Sequence, residues 1–148
     1  MPESDSPGQG VADMPRPASA QQRPLRILVA DDDDINRAIV GHLLSGLPHA
    51  VMSEAADGRA ALEMAQTQRF DLLIFDLNMP EIDGDRLIRH LRASQSLNAD
   101  SPMILFSAAT DRSGRIEGRA ASLADLVLPK PIPAAEFLSA IGRLAGRR

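Results

Sequence analysis

The 148-residue chain contains no cysteine, which excludes disulfides, thiolate metal sites and thiol nucleophiles. That absence suits a reducing compartment, and a cytoplasmic location is the expectation. No apolar run approaches the about 18 residues that a spanning helix needs, so a soluble chain without membrane insertion is expected. A secretory leader is not expected: Glu3, Asp5 and Asp13 stand where a basic start and an apolar centre would be required. Positive charge is in deficit, with 16 Lys and Arg against 20 Asp and Glu and a formal net charge of −4. A surface that tracks nucleic-acid phosphates would show a basic excess, so direct nucleic-acid binding is not expected. The length leaves room for one domain and a tail, but not for a second catalytic domain.

What is present is an ordinary globular composition, 44% apolar and 24% charged. Residues 1–24 hold five prolines, no aromatic residue and little apolar content, too little to offset the entropy of ordering. They are expected to form a disordered tail or linker ahead of a folded domain at 25–146. Leu25 to Ala30 is a short β-rich apolar run that stops at Asp31-Asp32-Asp33-Asp34, which predicts a buried strand ending in an acidic turn. Ile35, Ile39, Val40, Leu43, Leu44 and Leu47 then recur at helical spacing up to Pro48. His49 to Glu54 predicts a second strand, and Asp57-Gly58 opens a helix with Ala61, Leu62 and Ala65. Asp71 to Asp76 is a continuous apolar run between acidic ends, which must be covered on both faces. Gly84 marks a turn before a helix with Leu87, Ile88 and Leu91 on one face.

Pro102 to Ser107 predicts the fourth strand, Leu123 to Leu128 the fifth, and Phe137, Leu138, Ile141 and Leu144 a final helix. Between those strands, Thr110 to Ala121 holds two glycines and Ile116 as its one large apolar residue, so any helix there is expected to be short or frayed. Strand and helix alternate through five β–α units. That predicts an α/β fold with a doubly wound parallel sheet and helices on both faces.

In such sheets the site lies beyond the carboxyl ends of the strands. Those ends offer Asp31 and Asp32, then Asp76, then Ser107, with Lys130 just past the fifth strand. A flavodoxin-like order 2-1-3-4-5 would place all of them in one pocket. Three carboxylates there repel each other by about 1 to 4 kcal/mol per pair at roughly 4 Å, so a cation is required. Oxygen donors without a nearby His or Cys suit Mg²⁺, with Mn²⁺ the alternative, better than Zn²⁺. A divalent ion, an ammonium and a hydroxyl around a carboxylate are the equipment of phosphoryl transfer, with Asp76 as nucleophile and an aspartyl phosphate as product.

The segments Ile27-Leu28-Val29-Ala30-Asp31-Asp32 with Ile35-Asn36-Arg37, Asp76-Leu77-Asn78-Met79-Pro80-Glu81-Ile82-Asp83-Gly84, Ser107-Ala108 and Pro129-Lys130-Pro131 resemble the receiver domain of response regulators and hybrid histidine kinases. The likeness covers about residues 25 to 146. It implies that Asp76 is the phosphoacceptor, Asp32 a direct Mg²⁺ ligand, Asp31 an outer partner of the metal and Asn78 a ligand through its backbone carbonyl. It further implies that Ser107 and Lys130 bind phosphoryl oxygens and that the Lys130-Pro131 peptide is cis. The implied donor is a phosphohistidine on a histidine kinase or histidine phosphotransfer protein. The downstream protein target is not named by the sequence, and a homodimer is left open. A stand-alone receiver without an output domain, or a phosphorelay intermediate, is expected, not itself an enzyme. Moving a switch from 1:99 to 99:1 takes about 5.5 kcal/mol, a size that a new dianion meeting Ser107 and Lys130 could supply.

Blander readings compete at several positions. Asp31 to Asp34 taken alone would be a solvated acidic turn, and Asp33, Asp34 and Asp83 fit capping roles. Lys130 alone would be a surface charge. His42, His49 and His90 lie away from the strand ends. Arg112, Arg115 and Arg119 read as a solvated face. One departure from the resemblance is Val127, where family members usually carry Tyr or Phe, so coupling through a rotating ring is not expected and an order change after Ser107 is the alternative. A haloacid-dehalogenase-type phosphatase uses similar groups, but its nucleophile comes first in an Asp-x-Asp pattern. A pseudo-receiver that binds partners without phosphorylation is the remaining rival.

Overall fold

The computed structural model describes residues 23–108 and 123–145. The expectations for the N-terminal tail, for the glycine-containing stretch after Ser107 and for Arg112, Arg115 and Arg119 fall outside these residues, apart from the last two positions of the tail. Five strands, β1 (Leu25–Ala30), β2 (Ala50–Ala55), β3 (Leu72–Asp76), β4 (Met103–Ala108) and β5 (Leu126–Lys130), form one sheet. All pairings are parallel and the spatial order is β2-β1-β3-β4-β5, the flavodoxin-like order expected. Four described helices cover the faces: α1 (Asp34–Leu44), α2 (Gly58–Thr67), α3 (Gly84–Ala93) and α4 (Ala134–Ala145).

Side-chain alternation divides the core in two. Leu28, Leu73, Phe75, Met103 and Leu105 point to one face and pack with α2 and α3. Ile27, Val29, Leu72, Ile74, Ile104 and Phe106 point to the other and pack with α1 and α4. Because β3 is buried on both faces, every one of its residues must be apolar until the chain leaves the sheet at Asp76.

Two boundaries differ from expectation by more than one residue. The fifth strand runs over Leu126–Lys130 instead of Leu123 to Leu128, which makes Lys130 its last residue. Leu123 and Ala124 are apolar because they pack against the α2/α3 core, not because they are strand. Arg92 at the end of α3 fixes this entry, donating to the carbonyls of Leu123, Ala99 and Ser101 and pairing with Asp125 at 2.8 Å. The Asp125 carboxylate also accepts the amide of Met103. The second difference is in α1, which ends at Leu44, so Leu47 lies beyond it. Val40 and Leu44 are buried, but Ile35 is 67% and Ile39 45% exposed. The apolar stripe of α1 is wider than the face that the sheet covers.

Three of the four described helices begin where the sequence supplies an acceptor. Asp33 accepts the amide of Ile35, Asp57 that of Ala60 and Asp83 that of Arg86. Two helix-opening glycines allow close approach. A Cβ on Gly84 would collide with the carbonyl oxygen of Asp76, and one on Gly58 with that of Ile82. By contrast, a Cβ on Gly142 in α4 would meet nothing within 4 Å. Gly142→Ala is therefore expected to stabilise the fold by about 0.5–1 kcal/mol through helix propensity. Gly84→Ala should cost about 2 kcal/mol or more, because backbone must move. Urea unfolding followed by circular dichroism reads both, and equal effects would contradict the packing.

Candidate functional site

The register explains why the acidic residues meet. Ala30 pairs with Phe75, so the next residues, Asp31 and Asp76, leave adjacent parallel strands side by side. β4 runs on the other side of β3 with Asp76 opposite Phe106, and β5 lies beside β4 with Ala108 opposite Lys130. Asp31 and Asp76 are both buried, whereas Asp32 is exposed at the rim. Carboxylate oxygens of Asp31, Asp32 and Asp76 all lie within 4.8 Å of one another.

Lys130 reaches across this group. Its Nζ lies 2.7 Å from Asp76 Oδ1 and 3.3 Å from Asp31 Oδ2. Asp31 Oδ1 accepts the backbone amide of Asp33 at 2.9 Å, which orients that carboxylate from below. Burial, with the nearby charges of Asp31 and Asp32, pushes the Asp76 carboxyl up to about 6 even though Lys130 pulls it down. Burial also disfavours the Lys130 ammonium, but its hydrogen bond to Asp76 and the charges of Asp76 and Asp31 outweigh this and hold it above its ordinary value. One ammonium thus does not balance three carboxylates.

The donor set fits a hard divalent cation. It is all oxygen, with two buried carboxylates and one at the solvent edge, and no His or Cys belongs to the group. Asn78 is exposed, two residues beyond Asp76. Ser107 is half-buried at the penultimate position of β4, its hydroxyl 3.3 Å from the carbonyl oxygen of Ala108. The Lys130-Pro131 peptide is cis. Val127 packs against the α2/α3 core from β5, filling with an aliphatic side chain the place noted above for an aromatic ring. His42, His49 and His90 are all exposed.

Two residues were missed by reasoning from sequence. Arg37 donates from Nη1 to the carbonyl of Asp31 at 2.6 Å and from Nε to Glu54 at 2.9 Å. A signal existed, since a cation close to a helix N-terminus is electrostatically misplaced unless it has acceptors. Asn98 is fully buried and joins three backbone groups at the opposite end of the sheet. Nothing in its sequence context marked it.

The response regulator receiver domain family matches residues 27–142. The chain is 37% identical over 124 residues to the response regulator MprA of Mycolicibacterium vanbaalenii, a match covering 84% of this chain and 52% of that protein. It is 38% identical over 110 residues to a protein-glutamate methylesterase/protein-glutamine glutaminase of a Nocardioides species, covering 72% of this chain and 29% of that one. The chain therefore spans about half the length, or less, of these curated relatives. Among solved structures, a putative response regulator from Chloroflexus aurantiacus superposes with a TM-score of 0.75 at 29% identity, covering 84% of this chain and all of the other. The receiver domain of the sensor histidine kinase PA1611 from Pseudomonas aeruginosa, which has a magnesium ion coordinated in its active site cleft, superposes with a TM-score of 0.73 at 26% identity, covering 83% and 98% of the two chains. No described helix is long and apolar enough to cross a membrane. With its strand order, its acidic strand ends and these matches, the chain belongs to the receiver-domain family of response regulators, the phosphorelay modules that work with histidine kinases or phosphotransfer proteins.

Proposed function

We propose that this chain is a cytoplasmic phosphoacceptor switch in which Asp76 takes a phosphoryl group from a phosphohistidine on a histidine kinase or histidine phosphotransfer protein. The observation that carries the reading is the buried Asp76 carboxylate held 2.7 Å from Lys130 beside two further carboxylates. An Asp76 oxygen attacks phosphorus, the phosphorus–nitrogen bond to the donor imidazole breaks, and the imidazole recovers a proton from solvent. Mg²⁺, or Mn²⁺, held by Asp31, Asp32, Asp76 and the Asn78 backbone carbonyl, would neutralise charge on the phosphoryl oxygens. Lys130, already within hydrogen-bond distance of Asp76, is placed to follow those oxygens, and the Ser107 hydroxyl donates to them. Hydrolysis of the acyl phosphate returns inorganic phosphate and resets the switch. Ile35 and Ile39, exposed on α1 just after the acidic loop, offer the donor protein an apolar surface.

Intact-mass measurement after incubation with a small-molecule phosphodonor tests this. Wild type should gain one phosphoryl group in the presence of Mg²⁺ and none in chelator, and Asp76→Asn should gain none in either. If wild type gains nothing from the small donor or from a panel of phosphorylated kinases, the chain is a pseudo-receiver that binds its partners without phosphorylation.

A further inference from the structure

We propose that Arg37, anchored on Glu54, is a positioning residue that sets the Mg²⁺ affinity of the site by fixing the peptide between Asp31 and Asp32. The inference rests on the phosphoacceptor reading and concerns residues that do not themselves touch the reacting atoms. Asp32 is exposed, and its carboxylate has no hydrogen-bond partner among the described residues. Its direction is therefore set by the backbone that carries it. The Asp31 amide is still bound to the sheet, donating to the carbonyl of Ala55 at 3.1 Å. At the Asp31 carbonyl the chain has left the sheet, and a part-buried carbonyl there needs another donor. Arg37 Nη1 supplies it at 2.6 Å.

The same guanidinium is itself held. Its side chain is only 16% exposed, and Nε lies 2.9 Å from Glu54 Oε1. Glu54 sits on β2 in register with Val29 of β1, so one planar group ties the acidic loop that follows β1 to the neighbouring strand β2. A rotation of the Asp31–Asp32 peptide would swing Asp32 away from Asp31 and Asp76, and the Arg37 bond opposes that rotation.

Charge and geometry predict opposite signs here. If Arg37 acted only as a cation near the acidic group, removing it would tighten binding of a divalent ion. If it acts as a tether, removing it loosens Asp32 and weakens binding, by about tenfold as is usual for groups that orient metal ligands. Lysine keeps the charge but cannot span both acceptors with a fixed fork, so Arg37→Lys separates the two accounts.

The experiment is calorimetric titration of Mg²⁺ into the full chain, wild type beside Arg37→Met and Arg37→Lys, with metal-free thermal unfolding as the check on folding. The expected result is weaker Mg²⁺ binding in both variants by about tenfold. Should Arg37→Met fail to fold, Arg37→Lys carries the test. Wild type that binds Mg²⁺ beside variants that bind it equally or more tightly overturns this inference alone. Wild type that binds no Mg²⁺ overturns the phosphoacceptor reading and this inference with it.

Discussion

In chelator at about pH 8, Lys130→Met should be less stable than wild type by about 2–3 kcal/mol, and much of the deficit should disappear at about pH 5. The lysine is the cationic partner of Asp76 and also lies 3.3 Å from the carboxylate of Asp31, both of them buried. Removing one member of a buried charged group leaves the others uncompensated, which costs more than the pair contributes when intact. The pH dependence follows from the Asp76 carboxyl, which burial already pushes up to about 6 from 3.8. Because the folded state keeps this proton to higher pH than the unfolded chain, stability falls as pH rises through that window and the penalty is complete above it. Lys130 is the neighbour that pulls Asp76 down, so its loss moves the upper edge of the window above 6 and deepens the penalty at neutral pH. Urea unfolding at the two pH values checks this, and a deficit of equal size at both would contradict it. With phosphodonor and Mg²⁺ present, the same variant should be phosphorylated about 10²-fold more slowly, the usual cost of removing one preorganised electrostatic group.

Asn98→Ala should lower the melting temperature by about 10–15 °C, a loss of about 3 kcal/mol. Asn98 Oδ1 accepts the amide of Phe70 at 2.8 Å, and Nδ2 donates to the carbonyls of Ala65 at 2.7 Å and Gln68 at 2.8 Å. The hydroxyl of Ser101, also fully buried, lies 3.0 Å from the carbonyl oxygen of Phe70 and 3.2 Å from Asn98 Oδ1, and its one proton serves these two acceptors. This network ties the end of α2 and the approach to β3 to the α3–β4 connection. Alanine would leave those backbone groups buried without partners, each at a desolvation cost of about 1–3 kcal/mol. The chain has no Trp and no Tyr, so the transition is best followed by far-ultraviolet circular dichroism. A shift within a few degrees of wild type would mean that water takes over the side chain's role. Since the network lies at the opposite end of the strands from Asp76, Asn98→Ala should leave phosphorylation at Asp76 intact wherever the protein is folded.

The strands were legible because a parallel sheet covered on both faces demands near-continuous apolar runs, and their order because one arrangement brings the polar strand ends into a single pocket. Leu72 to Phe75 could hardly be anything else, and Asp76 marks where such a run meets water. The acidic strand ends likewise pointed to the meeting of Asp31, Asp32 and Asp76. Less legible was the entry to the fifth strand, since Leu123 and Ala124 carry the same apolar signal whether they pair in a sheet or pack under one. The exposure of Ile35 and Ile39 was equally hidden, because periodicity shows that a helix has an apolar stripe but not how much of it a neighbour covers.

By itself the amino-acid sequence determined the class of fold, the end of the sheet where the chemistry gathers, the excess of carboxylates there and the need for a cation. These follow from local patterns: the length of apolar runs, the charge at their ends and the caps that start each helix. Only the tertiary structure decided the contacts between side chains distant in sequence. It gave Lys130, already expected in the pocket, its two partners Asp76 and Asp31, put Arg37 on the Asp31 carbonyl and Glu54, and put Asn98 on three backbone groups between the end of α2 and the approach to β3. Such pairings depend on register and on the packing of elements from separate parts of the chain, and no local pattern encodes which acceptor a long polar side chain will reach.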